Sequence, residues 1–498
     1  MIRFLSVFLA LMLVFCSMGT AYDFSGIESR VSEFTLANGL KFILLQDNSV
    51  PVASFVTYVN VGSSNERIGV WGISHLLEHL AFKGTSEIGS KDVNAERKLF
   101  PKMDKIFADM RREELLPEPD PDKTAALKEK LDKLIEEAGQ LVVNNEFDTI
   151  LKRHGGVGLN AFTSTDQTVY FFSLPANKAE LWAYLESSRF TDPFFREFYK
   201  EREVVKEERR VRTDNTPIGK LIEELQALAF KDHSYKMSVI GPMSNIESIS
   251  RQDVQNYFRE NYHAGNMVIG VTGDINEKQL RALAEKYFSR IPKGPRNTRI
   301  STIEPPQLGE KAMTIYESSQ PWLVLGYKCP DVRHPDFIKF SVLDNVFTAG
   351  RTSRLQKRVV IDDKKALAVG SMAGFPGSKY PGLYLVFALP NSGVTTDELL
   401  GYVEEEIAAL KENPVGEEEL ASAKKRLKAS LMRRMANDQG LLISLLSAEV
   451  IQGSWRKVFW AYNEVDAVSA ADLQKLVQDY LVPEKRTVTR IEKKGEGK

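Results

Sequence analysis

Cysteine is scarce in this 498-residue chain: only Cys16 and Cys329 occur, which excludes a disulfide-braced scaffold. A dominant charge is missing as well. The 66 Lys and Arg balance 67 Asp and Glu, and a net charge of −1 offers no electrostatic footprint for nucleic acid. Beyond the first residues, no stretch approaches the ~18 consecutive apolar residues of a membrane helix. Histidine is also rare, with six in all. What is there is ordinary globular composition, 43% hydrophobic, in a length that suits three domains or two large ones.

The start of the chain stands apart. Arg3 precedes an apolar core from Phe4 to Phe15, followed by Ser17, Gly19, Thr20 and Ala21. This is the layout of a secretory signal over residues 1–21, cleaved after Ala21. It points to an exported, periplasmic protein, membrane-anchored if the signal is retained. Lipid modification of Cys16 is the other reading, with bulky Phe15 against it. Once the signal is removed, Cys329 is the one cysteine left, and a buried structural thiol is the ordinary role for it.

Residues 34–62 read as strands, with Phe42-Ile43-Leu44-Leu45 and the β-rich run from Ala53 to Val61 separated by Gln46-Asp47-Asn48. A helix is expected near 72–82 and a strand pair around 159–174, with helices from 178 to 228. Residues 96–146 are charged and split by Pro117, Pro119 and Pro121, predicting a helical hairpin with arms near 102–115 and 122–141. An internal repeat is also legible. Ser250, Asp253 and Gln255 match Ser469, Asp472 and Gln474 at an offset of 219, whereas the helix ending at Gly84 matches one ending at Gly350 at 266. The 47-residue difference is close to the size of the hairpin. The expected architecture is therefore α+β, two related halves of mixed sheet and packed helices, the first carrying an insertion. Boundaries fall at 1–21 for the signal, 22–291 for the first domain with its insertion at about 96–146, 292–312 for a linker, 313–490 for the second domain and 491–498 for a polar tail.

Chemistry enters with His75-Leu76-Leu77-Glu78-His79. Histidines at i and i+4 share a helix face and can meet one metal ion, with Glu78 beside them to act on a metal-bound water. The H-x-x-E-H order is that of an inverzincin. A surface helix with two incidental histidines is the bland alternative. A catalytic zinc needs a third protein ligand, and the acidic stretch 197–208 offers Glu197, Glu201, Glu203, Glu207 and Glu208. Glu201 and Glu208 are two turns apart on one face, but spacing alone does not choose among the five. The interleaved Lys200, Arg202, Lys206, Arg209 and Arg210 also fit a solvated charged helix.

Gly62-Ser63-Ser64-Asn65-Glu66, the segment from His75 to Thr85, Gly155-Gly156, Asn160-Ala161-Phe162-Thr163 and Glu201 to Glu208 occur in one order that resembles the insulinase/pitrilysin-type metallopeptidases. The branch they are most similar to contains mitochondrial processing peptidase and its bacterial two-subunit relatives. The resemblance implies two homologous domains that form half of a clam-shaped chamber, one Zn2+ per chain held by His75, His79 and Glu208, Glu78 as general base, and Glu201 as supporting acid. It also implies that substrate peptide adds as a strand to the sheet edge around Asn160 and Ala161, and Phe82 is expected to bind substrate with them. A turn-capping role for Asn160 is the plain alternative.

Three departures from that family stand out. The hairpin lengthens the separation of His79 and Glu208. Ser341, Asp344 and Asn345 stand opposite His75, Glu78 and His79 in the repeat, so one metal site per chain is expected. Active members also often carry an Arg with a Tyr seven residues later in the second domain. Here Arg354 and Arg358 are followed at that spacing by Ile361 and Lys365, and Val369 stands where a tyrosine is sought. The expectation is an exported zinc endopeptidase acting on peptides or unfolded segments, completed by a homologous partner chain that supplies the Arg/Tyr pair. No nucleic acid and no stable membrane span are expected. A non-catalytic peptide-binding or assembly subunit is the alternative.

Overall fold

Runs of apolar and β-branched residues build two sheets, and the helices between them cover the sheet faces. The computed structural model describes residues 23–295 and 299–494, so the expected signal segment lies outside the described residues. The first sheet contains β1 (Val31–Thr35), β2 (Lys41–Gln46), β3 (Val52–Val59), β4 (Val157–Thr163), β5 (Thr168–Pro175) and β6 (Met267–Gly273), in the order β1-β2-β6-β3-β5-β4. The second contains β7 (Lys311–Glu317), β8 (Trp322–Cys329), β9 (Ala366–Phe375), β10 (Gly382–Pro390) and β11 (Arg486–Lys493), in the order β7-β11-β8-β10-β9.

The two orders are the same topology. β2 runs parallel to β6 as β7 does to β11, and every other pairing in the shared five-strand set is antiparallel. β4 and β9 are the corresponding edge strands. The repeat also survives at atomic detail: Ser250 and Ser469 each form a reciprocal capping box with the aspartate three residues on.

The helices that position the site are α1 (Ile73–Leu80), α2 (Val93–Glu114), α3 (Pro121–Gln140), α4 (Phe198–Arg209) and α5 (Pro217–Ala229). Two from the second half complete the packing, α6 (Phe337–Phe347) and α7 (Asp438–Gln452). The halves exchange cover. Leu441, Leu442, Leu445 and Leu446 of α7 pack on Ile43, Val56 and Tyr58 of the first sheet. Leu221 and Leu225 of α5 pack on Val324, Leu383 and Ile491 of the second. No helix among the described residues is long and apolar enough to cross a membrane.

The hairpin exists, but its first arm begins at Val93, well ahead of the expected 102. Asp92 caps it by accepting from Asn94 and Ala95, and the arm runs through Pro101 because Leu99, Phe100 and Met103 are buried there. Tertiary burial outweighs the lost proline hydrogen bond. The last strand extends to Lys493 with Ile491 fully buried, past the expected edge at 490. Cys329 is buried, and desolvation pushes its thiol up to about 12, which leaves it unreactive.

Candidate metal centre

The chain enters α1 through Gly72 at φ +96°, where a Cβ would lie 2.3 Å from the Ile240 carbonyl oxygen, so glycine is required. No neighbouring side chain caps the helix. Instead the buried Glu66 carboxylate accepts from the N–H groups of Gly72 at 2.7 Å and Ser74 at 2.8 Å, placing an anion at the positive end of α1. Burial raises Glu66 to about 7, against the pull of those amides. Leu76, Leu77 and Leu80 bury one side of α1, and the His75 and His79 rings lie side by side with centroids 4.8 Å apart.

α4 is fixed from behind by the hairpin. Phe107 of α2 packs on Tyr199, and the Arg202 guanidinium lies 4.5 Å from the Phe107 ring centroid. This rotation brings Glu201 and Glu208 to α1. His75 Nε2 lies 3.6 Å and His79 Nε2 3.4 Å from the two Glu208 oxygens. Ligand atoms of His75, His79 and Glu208 all fall within 4.8 Å of one another. Tetrahedral zinc with bonds of about 2.1 Å separates its ligand atoms by roughly 3.4 Å. The two-nitrogen, one-oxygen donor set and its spacing therefore fit zinc. No second group of this kind occurs among the described residues.

Glu201 sits behind His79, its Oε2 3.5 Å from Nδ1, and is itself held by Lys83 at 2.6 Å. The other glutamates turn elsewhere. Glu197 pairs with Lys83 and Lys200, Glu203 with Lys206, and Glu207 with Arg210. Arg212 pairs with Glu208 at 2.6 Å. Burial, reinforced by the charge on His79, lowers His75 to about 4, keeping it neutral. Burial also opposes a charge on His79, but Glu201 and Glu208 outweigh it and raise His79 to about 9. A proton on His79 thus supplies the positive charge that these carboxylates call for.

Glu78 points into the same cleft. Its Oε2 accepts from the Thr163 hydroxyl at 2.5 Å, and burial raises its pKa against that bond. The cleft, about 620 Å³, is lined by His75, Glu78, His79, Asn160, Ala161 and Glu208, among others. β4 forms one wall, and its far side has no strand partner among the described residues. The Asn160 Oδ1 accepts from the Ala161 N–H at 2.9 Å. Phe82 is not among the residues lining the cleft: half-buried just past the last turn of α1, its ring packs against Tyr170 and under Arg189.

In the second half, Asp344 of α6 accepts from Ser371 of β9 at 2.8 Å, repeating the Glu78–Thr163 arrangement without histidines. Arg354 is held by both oxygens of Glu419, and Arg358 by Glu405 and Glu406. Glu66, Thr163 and Arg212 have roles that the sequence did not reveal. Only the motif positions of Glu66 and Thr163 in the family resemblance pointed to them.

The family profile described as Insulinase (Peptidase family M16) matches residues 41–100 and 131–243, and its interruption falls inside the hairpin. A second, Peptidase M16 inactive domain, matches residues 248–427. A zinc protease, PqqE, of Helicobacter pylori is 29% identical over 453 residues, covering 88% of each chain. The mitochondrial-processing peptidase subunit beta of Lentinula edodes is 25% identical over 90% of this chain and 86% of its own. The crystal structure of a protease from Helicobacter pylori superposes with a TM-score of 0.76 at 24% identity, covering 93% of this chain and 99% of that one.

Proposed function

The chain belongs to the insulinase (M16) family of peptidases, and from that membership we propose that it is an exported zinc-dependent endopeptidase of peptides or unfolded segments. The observation that carries the reading is the convergence of His75, His79 and Glu208 in the cleft that also holds Glu78 and the open edge of β4. His75, His79 and Glu208 would hold one zinc ion. A zinc ion held there would supply Lewis acidity to a water and to the scissile carbonyl. Glu201 orients His79 through Nδ1, keeping Nε2 toward the ligand cluster.

Glu78 takes a proton at its carboxylate and returns it to the leaving amine. Burial suits it to both steps by raising its pKa above the ordinary carboxylate value. Thr163 fixes one carboxylate oxygen by donating to it. Along β4, an extended peptide pairs with free backbone groups, and the Ala161 N–H exchanges its Asn160 partner for a substrate carbonyl. Arg354 and Arg358 are held by glutamates, which supports a homologous partner chain as the source of the Arg/Tyr pair. Export rests on the signal-like pattern at residues 1–21.

Metal analysis and cleavage of a quenched peptide, with and without the partner, test the proposal. One zinc per chain is expected, lost in Glu208→Gln and kept in Glu207→Gln, with full activity only in the presence of the partner. Equal zinc loss in both variants would refute the ligand assignment. The missing Arg/Tyr pair favours a second reading, a non-catalytic peptide-binding or assembly subunit. Zinc binding without cleavage in any partner context would establish that one.

A further inference from the structure

We propose that Asp166 is a positioning residue that couples the second half of the molecule to the general base, a role that rests on the peptidase reading above. Asp166 lies in the turn between β4 and β5, three residues after Thr163, and is 5% exposed. Both of its oxygens are engaged, Oδ1 within the first half and Oδ2 across to the second. Oδ1 accepts from the Tyr235 hydroxyl at 2.7 Å, while Oδ2 accepts from the backbone N–H groups of Ser378 at 2.9 Å and Lys379 at 3.0 Å. Beside it, Thr165 donates to the Pro376 carbonyl at 3.1 Å, and Lys379 Nζ donates to Asn60 at 2.6 Å. The fit is close: a Cβ on Gly377 would stand 2.4 Å from Asp166 Oδ2 and 2.6 Å from the Tyr235 hydroxyl.

The first half grips the same turn from below. Ser63 and Ser64 donate backbone N–H groups to the carbonyls of Ser164 and Thr165 at 3.2 and 2.8 Å. The β4–β5 tip is thereby clamped between the Gly62–Asn65 segment and the β9–β10 loop. Thr163, which donates to Glu78, and Asn160 and Ala161, which line the cleft, belong to the strand that this clamp fixes. An edge strand has a partner on one side only, so its register at the site depends on what holds its ends. Among the described residues the second half holds no metal-ligating cluster, and this contact ties it to the strand that carries Thr163.

The test is a double-mutant cycle with an activity-independent readout. In the full chain, Asp166→Ala should lower kcat about tenfold while KM moves less than about threefold and zinc content stays at one. If Asp166 acts through Thr163, adding it to Thr163→Val costs about twofold or less beyond the single change. Multiplying effects would overturn the proposal. Hydrogen exchange supplies the second arm: Asp166→Ala, and the milder Tyr235→Phe, should speed exchange of the β4 amides about tenfold and leave β6 unchanged. Unchanged β4 exchange in both variants would also overturn it. This arm is read without substrate, so its result stands even if the wild-type chain cleaves nothing, an outcome that would count against the peptidase reading alone.

Discussion

At the scale of the residue, the site is a balance between burial and charge. His79, raised to about 9, is protonated at neutral pH in the metal-free chain, whereas a zinc ligand must be neutral. Zinc binding at pH 7 should therefore release about one proton, and affinity should climb roughly tenfold per pH unit up to about 9. Calorimetry in buffers of different ionisation enthalpy measures this, and zinc uptake without proton release would contradict it. Asp344 offers a clean case in the second half. Burial raises it to about 7 from 3.8, so its folded form resists ionisation. A raised carboxyl stabilises the fold relative to its ionised state only at low pH, and that advantage disappears as pH rises from about 4 to 7. Asp344→Asn should flatten the fall in unfolding free energy between pH 5 and 8 by about 2.5 kcal/mol, as read from urea titrations. An unaltered pH profile would refute this origin.

Residue-level legibility was uneven for a physical reason. The His75, Glu78 and His79 set follows from helical periodicity, which is local. Choosing Glu208 over Glu207 or Glu203 requires the rotation of α4, which depends on how its Arg202 meets Phe107 of a different helix, α2. Thr163 and Glu66 act across 85 and eight residues respectively, and neither contact leaves a periodic trace. Phe82 is half-buried against Tyr170 and outside the cleft lining, a placement set by the end of α1 that residue spacing does not show.

Among the elements, the hairpin matters most. Its base is pinned by Arg196, which is 1% exposed and pairs with Glu96 of α2 at 3.1 Å. The same guanidinium donates to the carbonyls of Lys83 and Ile88 at 2.7 Å and of Thr85 at 2.9 Å, ordering the loop after α1. Removing it leaves the buried Glu96 carboxylate and the Lys83 and Thr85 carbonyls without the guanidinium, and the Ile88 carbonyl with only the Thr85 N–H. Arg196→Ala should destabilise the chain by about 3–5 kcal/mol and raise loop exchange near residue 85. A loss below ~1 kcal/mol in a denaturant titration would show the pair to be dispensable. The insertion was legible in composition and prolines, but its true start was masked by Pro101, since burial of Leu99, Phe100 and Met103 overrides a local breaker.

For the whole molecule, the duplication seen in a few matched residues is written into two sheets of one topology. What the repeat did not foretell is the exchange of cover, because it depends on the route of the chain after each sheet is complete. α7 lies on the first sheet so closely that a Cβ on Gly270 would stand 2.7 Å from Leu442 Cδ1. Leu442→Ala should cost about 3 kcal/mol in one cooperative transition that both halves share. Chain cut within residues 299–310 should still elute as one particle, and separation into two folded pieces would disprove the interlock.

In the proposed reaction Glu78 transfers the proton beside a zinc ion that His75, His79 and Glu208 would hold. Parallel zinc analysis and peptide cleavage for wild type and Glu78→Gln test it most directly. One zinc per chain in both, with turnover reduced at least about a thousandfold in the variant, is the predicted result. Turnover retained in Glu78→Gln at full zinc content would contradict the account.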